Sequence, residues 1–281
     1  MHNARVRFVL ALIVLALIAL VAPVAPAAAA AVRVRYQPGA ELYVPAWFTA
    51  PREYDLVLFF HGLPRAMDDA FDRARPNALL VSVNLGEGSG PFEQHFKNPR
   101  AFDSLLAATQ RELEKTGRAP GAKLGRVALV GWSAGFGAIG AILAQPANAA
   151  RVDAVLLADG LHTNYVGAFV ADKSALRKYA DYAERAMKGE RLFAFTHSSV
   201  RAPGYASTTD CAKALLEMTG VARSAPTKSV HGARGLYEAH RGDFHVFGFA
   251  GGGVEEHRDH LRYIDETMLP LLMQRWQKNT P

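Results

Sequence analysis

The stretch Arg126–Gly140, RVALVGWSAGFGAIG, constrains this chain more than any other. Val127–Val130 is a short apolar run with β-branched residues at both ends, the pattern of a strand buried on both faces. Gly131-Trp132-Ser133-Ala134-Gly135 follows, and then a run of small residues, Phe136–Leu143, that reads as a helix. A strand that becomes a helix within so few residues turns sharply, and the residues flanking the turn have to be small. The serine at the apex is lifted above the sheet edge, at the start of the helix. There the unpaired backbone N–H groups and the helix dipole favour developing negative charge.

The rest of the chain supplies a frame for that turn. Val32–Gln37 alternates apolar and polar residues and reads as an edge strand, with Glu41–Ala50 as its hairpin partner. Asp55–Phe60 (DLVLFF) is a buried strand ending in His61-Gly62-Leu63-Pro64, and Asn77–Val83 is another. Ala101–Thr116 has helical spacing and stops at Gly117. Val152–Ala158 is the strand after the central turn, closed by Asp159-Gly160. Ser174–Lys188 is a helix with Ser174 as N-cap, Leu192–Thr196 a strand, and Thr209–Met218 a helix. Gly235–Arg241 and Phe244–Phe249 form a hairpin turning at Gly242-Asp243, and Glu255–Trp276 is one terminal helix. Strands alternate with helices from Asp55 onward. The predicted fold class is therefore α/β, a mostly parallel central sheet with helices on both faces. Nothing between Asp159 and the C-terminus is long enough for a large cap domain, although Leu161–Lys173 has room for a small lid.

The first 31 residues read as a segment apart. His2, Arg5 and Arg7 form a basic start, Phe8–Ala22 is continuously apolar, and Pro23–Ala31 offers several A-x-A cleavage sites. This is the design of a signal peptide, and it points to a secreted or periplasmic protein whose folded domain spans residues 32–281. The alternative is an N-terminal membrane anchor, the one route by which this sequence implies a membrane partner. A single cysteine, Cys211, rules out an internal disulfide. The formal charge of +6 comes without a long Lys/Arg run, so nucleic-acid binding has no support. The glycine-rich stretches lack the Lys-Ser/Thr of a phosphate loop and the later acid of a dinucleotide fingerprint, so no cofactor is expected.

The strand–G-x-S-x-G–helix unit, His61-Gly62 after an earlier strand, and a late histidine together resemble the α/β-hydrolase family over Asp55 to the C-terminus. The resemblance implies a nucleophile elbow at Ser133, and then an acid and a histidine in chain order. His257, just past the Gly251-Gly252-Gly253 loop, is the histidine favoured as general base; His260 and His245 are weaker candidates. The family's usual acid position follows the strand Leu192–Thr196, and Thr196–Val200 carries no carboxylate there. Asp159 is the preferred substitute and Asp210 the alternative. The oxyanion hole implied by the family uses the backbone N–H groups of Ala134 and Leu63.

On this reading the chain is a secreted serine hydrolase of a carboxylic ester, less readily an amide, acting on a small-molecule or envelope substrate. Two other classes are compatible with the residues. One is a non-catalytic relative that only binds a ligand. The other is a metal-binding protein, since His257 and His260 are spaced i, i+3 beside Glu256, with His240, His245 or Asp159 as a third ligand.

Overall fold

A computed structural model of the chain describes residues 30–201, 204–227, 230 and 233–278. The segment read as a signal peptide lies outside the described residues, apart from Ala30 and Ala31 at its end. In chain order the strands are β1 (Val32–Gln37), β2 (Ala40–Val44), β3 (Glu53–Phe60), β4 (Ala78–Val83), β5 (Lys123–Trp132), β6 (Val152–Ala158), β7 (Tyr165–Gly167), β8 (Val170–Ala171), β9 (Leu192–His197), β10 (Gly235–Arg241) and β11 (Phe244–Phe249). The helices are α1 (Pro64–Ala74), α2 (Gly90–Phe96), α3 (Pro99–Thr116), α4 (Phe136–Leu143), α5 (Pro146–Arg151), α6 (Lys173–Met187), α7 (Thr208–Thr219), α8 (Val254–Arg262), α9 (Ile264–Thr267) and α10 (Leu269–Lys278).

The main sheet runs β1-β2-β4-β3-β5-β6-β9-β11-β10. Its six inner strands, β4-β3-β5-β6-β9-β11, are mutually parallel, while the β1–β2 and β10–β11 hairpins close the two edges antiparallel. Alternation along β3 shows why its sequence is apolar at every step from Leu56 onward. Leu56, Leu58 and Phe60 enter one core, with Phe92, Phe102 and Ile139 from α2, α3 and α4. Val57 and Phe59 enter the opposite core, with Phe71 from α1 and Leu261, Leu269 and Trp276 from α8 and α10. Successive side chains of a strand point to opposite faces, so a sheet covered on both sides has no solvent-facing position to fill with polar residues.

Three expected features differ in the structure. The hairpin partner expected over Glu41–Ala50 stops at Val44, before Pro45, which has no N–H for the ladder. The terminal helix is not continuous: it breaks at Tyr263 and again at Met268. At the first break the Arg73 guanidinium donates to the Arg262 carbonyl and to both carboxylate oxygens of Asp265. Glu266 N–H, deprived of that carbonyl, bonds Tyr263 instead at 3.1 Å. At the second, Pro270 has no N–H to give to the carbonyl of Glu266. The N-cap of α6 is Asp172 rather than Ser174; its carboxylate accepts from Ser174 N–H at 2.8 Å. Helix α1 is an addition. Its charged stretch hides an apolar stripe, Met67, Ala70 and Phe71, that is fully buried.

Candidate active site

Three neighbouring strands in the middle of the sheet, β3, β5 and β6, each end in a non-glycine residue with positive φ: His61 (67°), Ser133 (49°) and Asp159 (43°). This left-handed region is costly for residues with a side chain, and such strain persists only where the surroundings hold it. At Ser133 the surroundings are two glycines. A Cβ on Gly135 would lie 2.1 Å from the Phe60 carbonyl oxygen, and one on Gly160 would lie 2.6 Å from that of Ser133. The elbow is thus pressed between the ends of β3 and β6. Gly160 was not assigned this part in the sequence, where Asp159-Gly160 looks like an ordinary strand-closing turn.

Asp159 is buried, 1% exposed. Its Oδ1 accepts hydrogen bonds from Ser198 N–H at 2.9 Å and from Thr208 Oγ at 2.7 Å. Its Oδ2 lies 2.7 Å from Nδ1 of His257, which requires the proton on Nδ1 if the carboxylate is ionised. Burial by itself would push this carboxyl up. The His257 hydrogen bond, the field of His260, and the Ser198 and Thr208 donors outweigh it and hold the group well below the usual carboxylate range. Ser198 and Thr208 were legible only as members of the β9–α7 connection. Nothing in their spacing marks them as partners of Asp159.

His257 is brought to this point by the loop after β11. Gly253 N–H donates to Glu256 Oε2 at 2.9 Å, pinning the entry of α8, and His257 lies one turn in. Trp132, the residue before Ser133, steadies the imidazole from the other side. Its indole N–H donates to the His257 carbonyl at 3.0 Å, and the two rings stack with centroids 4.8 Å apart. Trp132 also stacks with His61 at 5.5 Å. His61 has a buried Nδ1 without a hydrogen-bond partner among the described residues, and burial lowers its pKa.

Ser133, Ala134 and His61 line one end of a cavity of about 920 Å³. Leu63 heads α1 as its N-cap and is 74% exposed; it is not part of the cavity lining. His162 lines the cavity too, with its Nδ1 3.1 Å from the Ala206 carbonyl and its ring edge-on to Phe136 and Tyr205.

The remaining candidates are engaged elsewhere. Asp210 closes a capping box with Ser207 at the start of α7 and accepts from Tyr165 Oη at 2.8 Å. His260 is buried, its Nδ1 2.8 Å from Thr196 Oγ, and burial lowers its pKa. His240 and His245 stack on the β10–β11 hairpin, and burial lowers His245 to about 4. The i, i+3 pair His257 and His260 shares a helix face, with the Nδ1 atoms turned to Asp159 and Thr196 respectively. Among the described residues no group of three His, Cys, Asp or Glu side chains is placed to hold a metal.

A mostly parallel sheet with this strand order, helices on both faces and a serine elbow after the central strand defines the α/β-hydrolase fold. The chain has that fold, as the sequence resemblance implied, with no subfamily assigned. Among solved structures it is similar to the enterobactin esterase of Shigella flexneri (TM-score 0.50, 15% identity, 92% of this chain and 61% of that one). It is also similar to a dienelactone hydrolase-like promiscuous phosphotriesterase from metagenomic libraries (TM-score 0.43, 10% identity, 87% and 97%). A third is a siderophore hydrolase from Aspergillus nidulans (TM-score 0.44, 15% identity, 87% and 95%). No protein-family model matches the sequence, and no curated protein does.

Proposed function

We propose that the protein is a serine hydrolase of small-molecule carboxylic esters, with Ser133 as nucleophile, His257 as general base and Asp159 as the acid that orients it. The observation that carries this reading is the 2.7 Å contact between His257 Nδ1 and Asp159 Oδ2, made beside a serine held at φ 49° at the mouth of a cavity. With Nδ1–H given to Asp159, Nε2 is the basic nitrogen. Ser133 Oγ adds to the ester carbonyl carbon and its proton passes to Nε2. The oxyanion is met by the N–H group of Ala134, which lines the cavity beside Ser133; Leu63, outside that lining, is not given this part. Collapse breaks the C–O bond, and the alkoxide leaves with the proton from His257. Water then repeats the addition on the acyl-serine, releasing the carboxylic acid and restoring Ser133. The esterases and hydrolases among the structural neighbours support this chemistry only through the shared fold.

The test is Ser133→Ala. It is expected to fold as the parent does, by circular dichroism and melting temperature, and to lose both p-nitrophenyl acetate turnover and fluorophosphonate labelling. Turnover at the parent rate would end the proposal. We further propose that residues 1–31 are an export signal removed from a domain spanning 32–281. N-terminal sequencing of the protein recovered from the cell envelope or medium tests this, and an intact Met1 there would contradict it.

A further inference from the structure

The cavity that begins at Ser133 continues along α4, and its far part is charged. Three charged side chains line it: Glu93 within α2, Lys97 at its C-cap, and Lys178 from α6. Glu93 and Lys97 pair with each other at 3.0 Å. Lys178 forms no ion pair among the described residues. Two ammonium groups against one carboxylate leave the lining with one uncompensated positive charge, and it sits on Lys178.

The location of that charge is defined by a glycine. A Cβ added to Gly140 would meet Lys178 Cε at 3.1 Å and Nζ at 3.4 Å, so the ammonium lies directly over the Gly140 backbone. Gly140 is on the same helix that Ser133 introduces. At about 2 Å per residue through the 3₁₀ turn and about 1.5 Å per residue through α4, it stands about 11 Å along from the serine. Lys178 is half-buried, and burial pushes its pKa down, with Glu93 opposing and Lys97 adding to the effect. A half-desolvated ammonium with no carboxylate in direct contact among the described residues gains from a bound anion more than one fully in water would. The neighbouring lining is compatible: Gln145 and Asn164 are polar, while Ala141 and Ala144 leave room beside the helix.

We propose that Lys178 forms an anion subsite, and that the ester substrate carries a carboxylate on the portion lying along α4. The inference rests on the reading of Ser133 as nucleophile. It assigns to Lys178 the choice between charged and neutral substrates, a positioning role at a distance from the reacting carbonyl. A carboxylate seated there places the ester at Ser133, so the effect depends on chain length as well as charge.

The experiment uses the p-nitrophenyl half-esters of linear dicarboxylic acids, from succinate to sebacate, each beside its neutral methyl ester. The ratio of kcat/KM for the charged over the neutral member is expected to rise with chain length to a maximum in the longer members. In Lys178→Met that maximum is expected to fall about tenfold, the loss of one charge-assisted contact. Lys178→Arg is expected to retain the charge preference. A flat ratio in the parent, or an unchanged ratio in Lys178→Met, overturns the inference. Hydrolysis of the neutral esters reports on the nucleophile reading separately. Were the parent inactive on every ester, calorimetric titration of Ser133→Ala with monomethyl suberate still decides the matter. Binding that Lys178→Met weakens about tenfold supports the subsite; no binding, or equal binding, refutes it.

Discussion

Replacing Asp159 by Asn is the most informative perturbation of the site, because the structure dictates how the new amide must sit. Oδ1 is held by two donors, Ser198 N–H and Thr208 Oγ–H, so the amide oxygen has to occupy that position. The amide NH₂ is then forced toward His257, at the place of an Oδ2 now 2.7 Å from Nδ1. Two donors cannot face each other, and the imidazole relieves the clash by moving its proton to Nε2. Nδ1 becomes the acceptor, and Nε2, the nitrogen proposed as the base, now carries the proton. A wrong-tautomer histidine of this kind costs a triad about ten-thousandfold in kcat, or about 5.4 kcal/mol of transition-state stabilisation. The assay is steady-state hydrolysis of p-nitrophenyl acetate, with melting temperature as the check on folding. Asp210→Asn is the control: that carboxylate serves the α7 cap, and its loss is expected to cost about 1 kcal/mol of stability and leave kcat alone. An Asp159→Asn enzyme that folds and works within tenfold of the parent would refute the assignment of the acid.

Stability should fall with acid. His197 is fully buried, its Nδ1 bonded to the Ser198 carbonyl and its Nε2 to Tyr237 Oη, and burial lowers its pKa from 6.5 to about 4. The unfolded chain protonates this ring near 6.5. Between 6.5 and 4 it therefore binds more protons than the folded chain, and stability is lost as pH falls through that window. The displacement amounts to about 3 kcal/mol by pH 4. Asp159, depressed instead, keeps its contribution until pH drops below the ordinary carboxylate range. Urea midpoints equal at pH 7 and pH 4 would contradict this. Gly160→Ala would drive a Cβ to within 2.7 Å of Ser133 N and closer still to its carbonyl oxygen. It is expected to cost about 2 kcal/mol, read as a melting temperature lower by about 6 °C, and about tenfold in kcat/KM. Parental stability and activity together would show that the elbow is not pressed against β6. Trp132→Phe removes the indole donor to the His257 carbonyl while keeping an aromatic face; a fall in kcat of about tenfold with little change in KM is expected. An unchanged kcat would mean that the α8 entry alone holds the imidazole.

The strands that read most easily were those with a continuous buried run or a clear turn between two arms. Val152–Ala158 and both arms of the Gly235–Phe249 hairpin coincide with the observed elements, because burial on both faces, or a Gly-Asp turn, leaves one pattern to read. The helices that escaped, α1, α2 and α5, each begin at or next to a proline. Proline at N1 or N2 is a start signal, but in Pro64-Arg65-Ala66-Met67-Asp68-Asp69 the charges outweigh a stripe of three apolar residues. The break at Tyr263 was unreadable for another reason: the group that takes the Arg262 carbonyl is Arg73, nearly two hundred residues away in sequence. Long-range capture of a backbone carbonyl leaves no local trace.

The site divides along the same line. Ser133 is marked by its own neighbours, since the elbow is a local backbone event. The proposed acid is not, and its place after β6 rather than after β9 has a geometric reason. β6 and β9 are adjacent and parallel, paired from Ala154–Leu192 to Ala158–Thr196, so both strands end at the same sheet edge. Asp159 N–H bonds the Thr196 carbonyl at 2.8 Å, which sets the first residue past β6 beside the last turn of β9. A carboxylate leaving β6 with φ 43° thus reaches the region that one leaving β9 would occupy. The connection after β9 carries no carboxylate there and instead supplies donors to Asp159: Ser198 N–H from the strand end and Thr208 Oγ from the start of α7. If that exchange is right, introducing an acid at Ser198 or Ser199 would not rescue Asp159→Asn, because the imidazole is oriented toward the end of β6 by Trp132 and the α8 entry. Rescue by either variant to within tenfold of the parent kcat would show that the histidine, rather than the acid, is free to move.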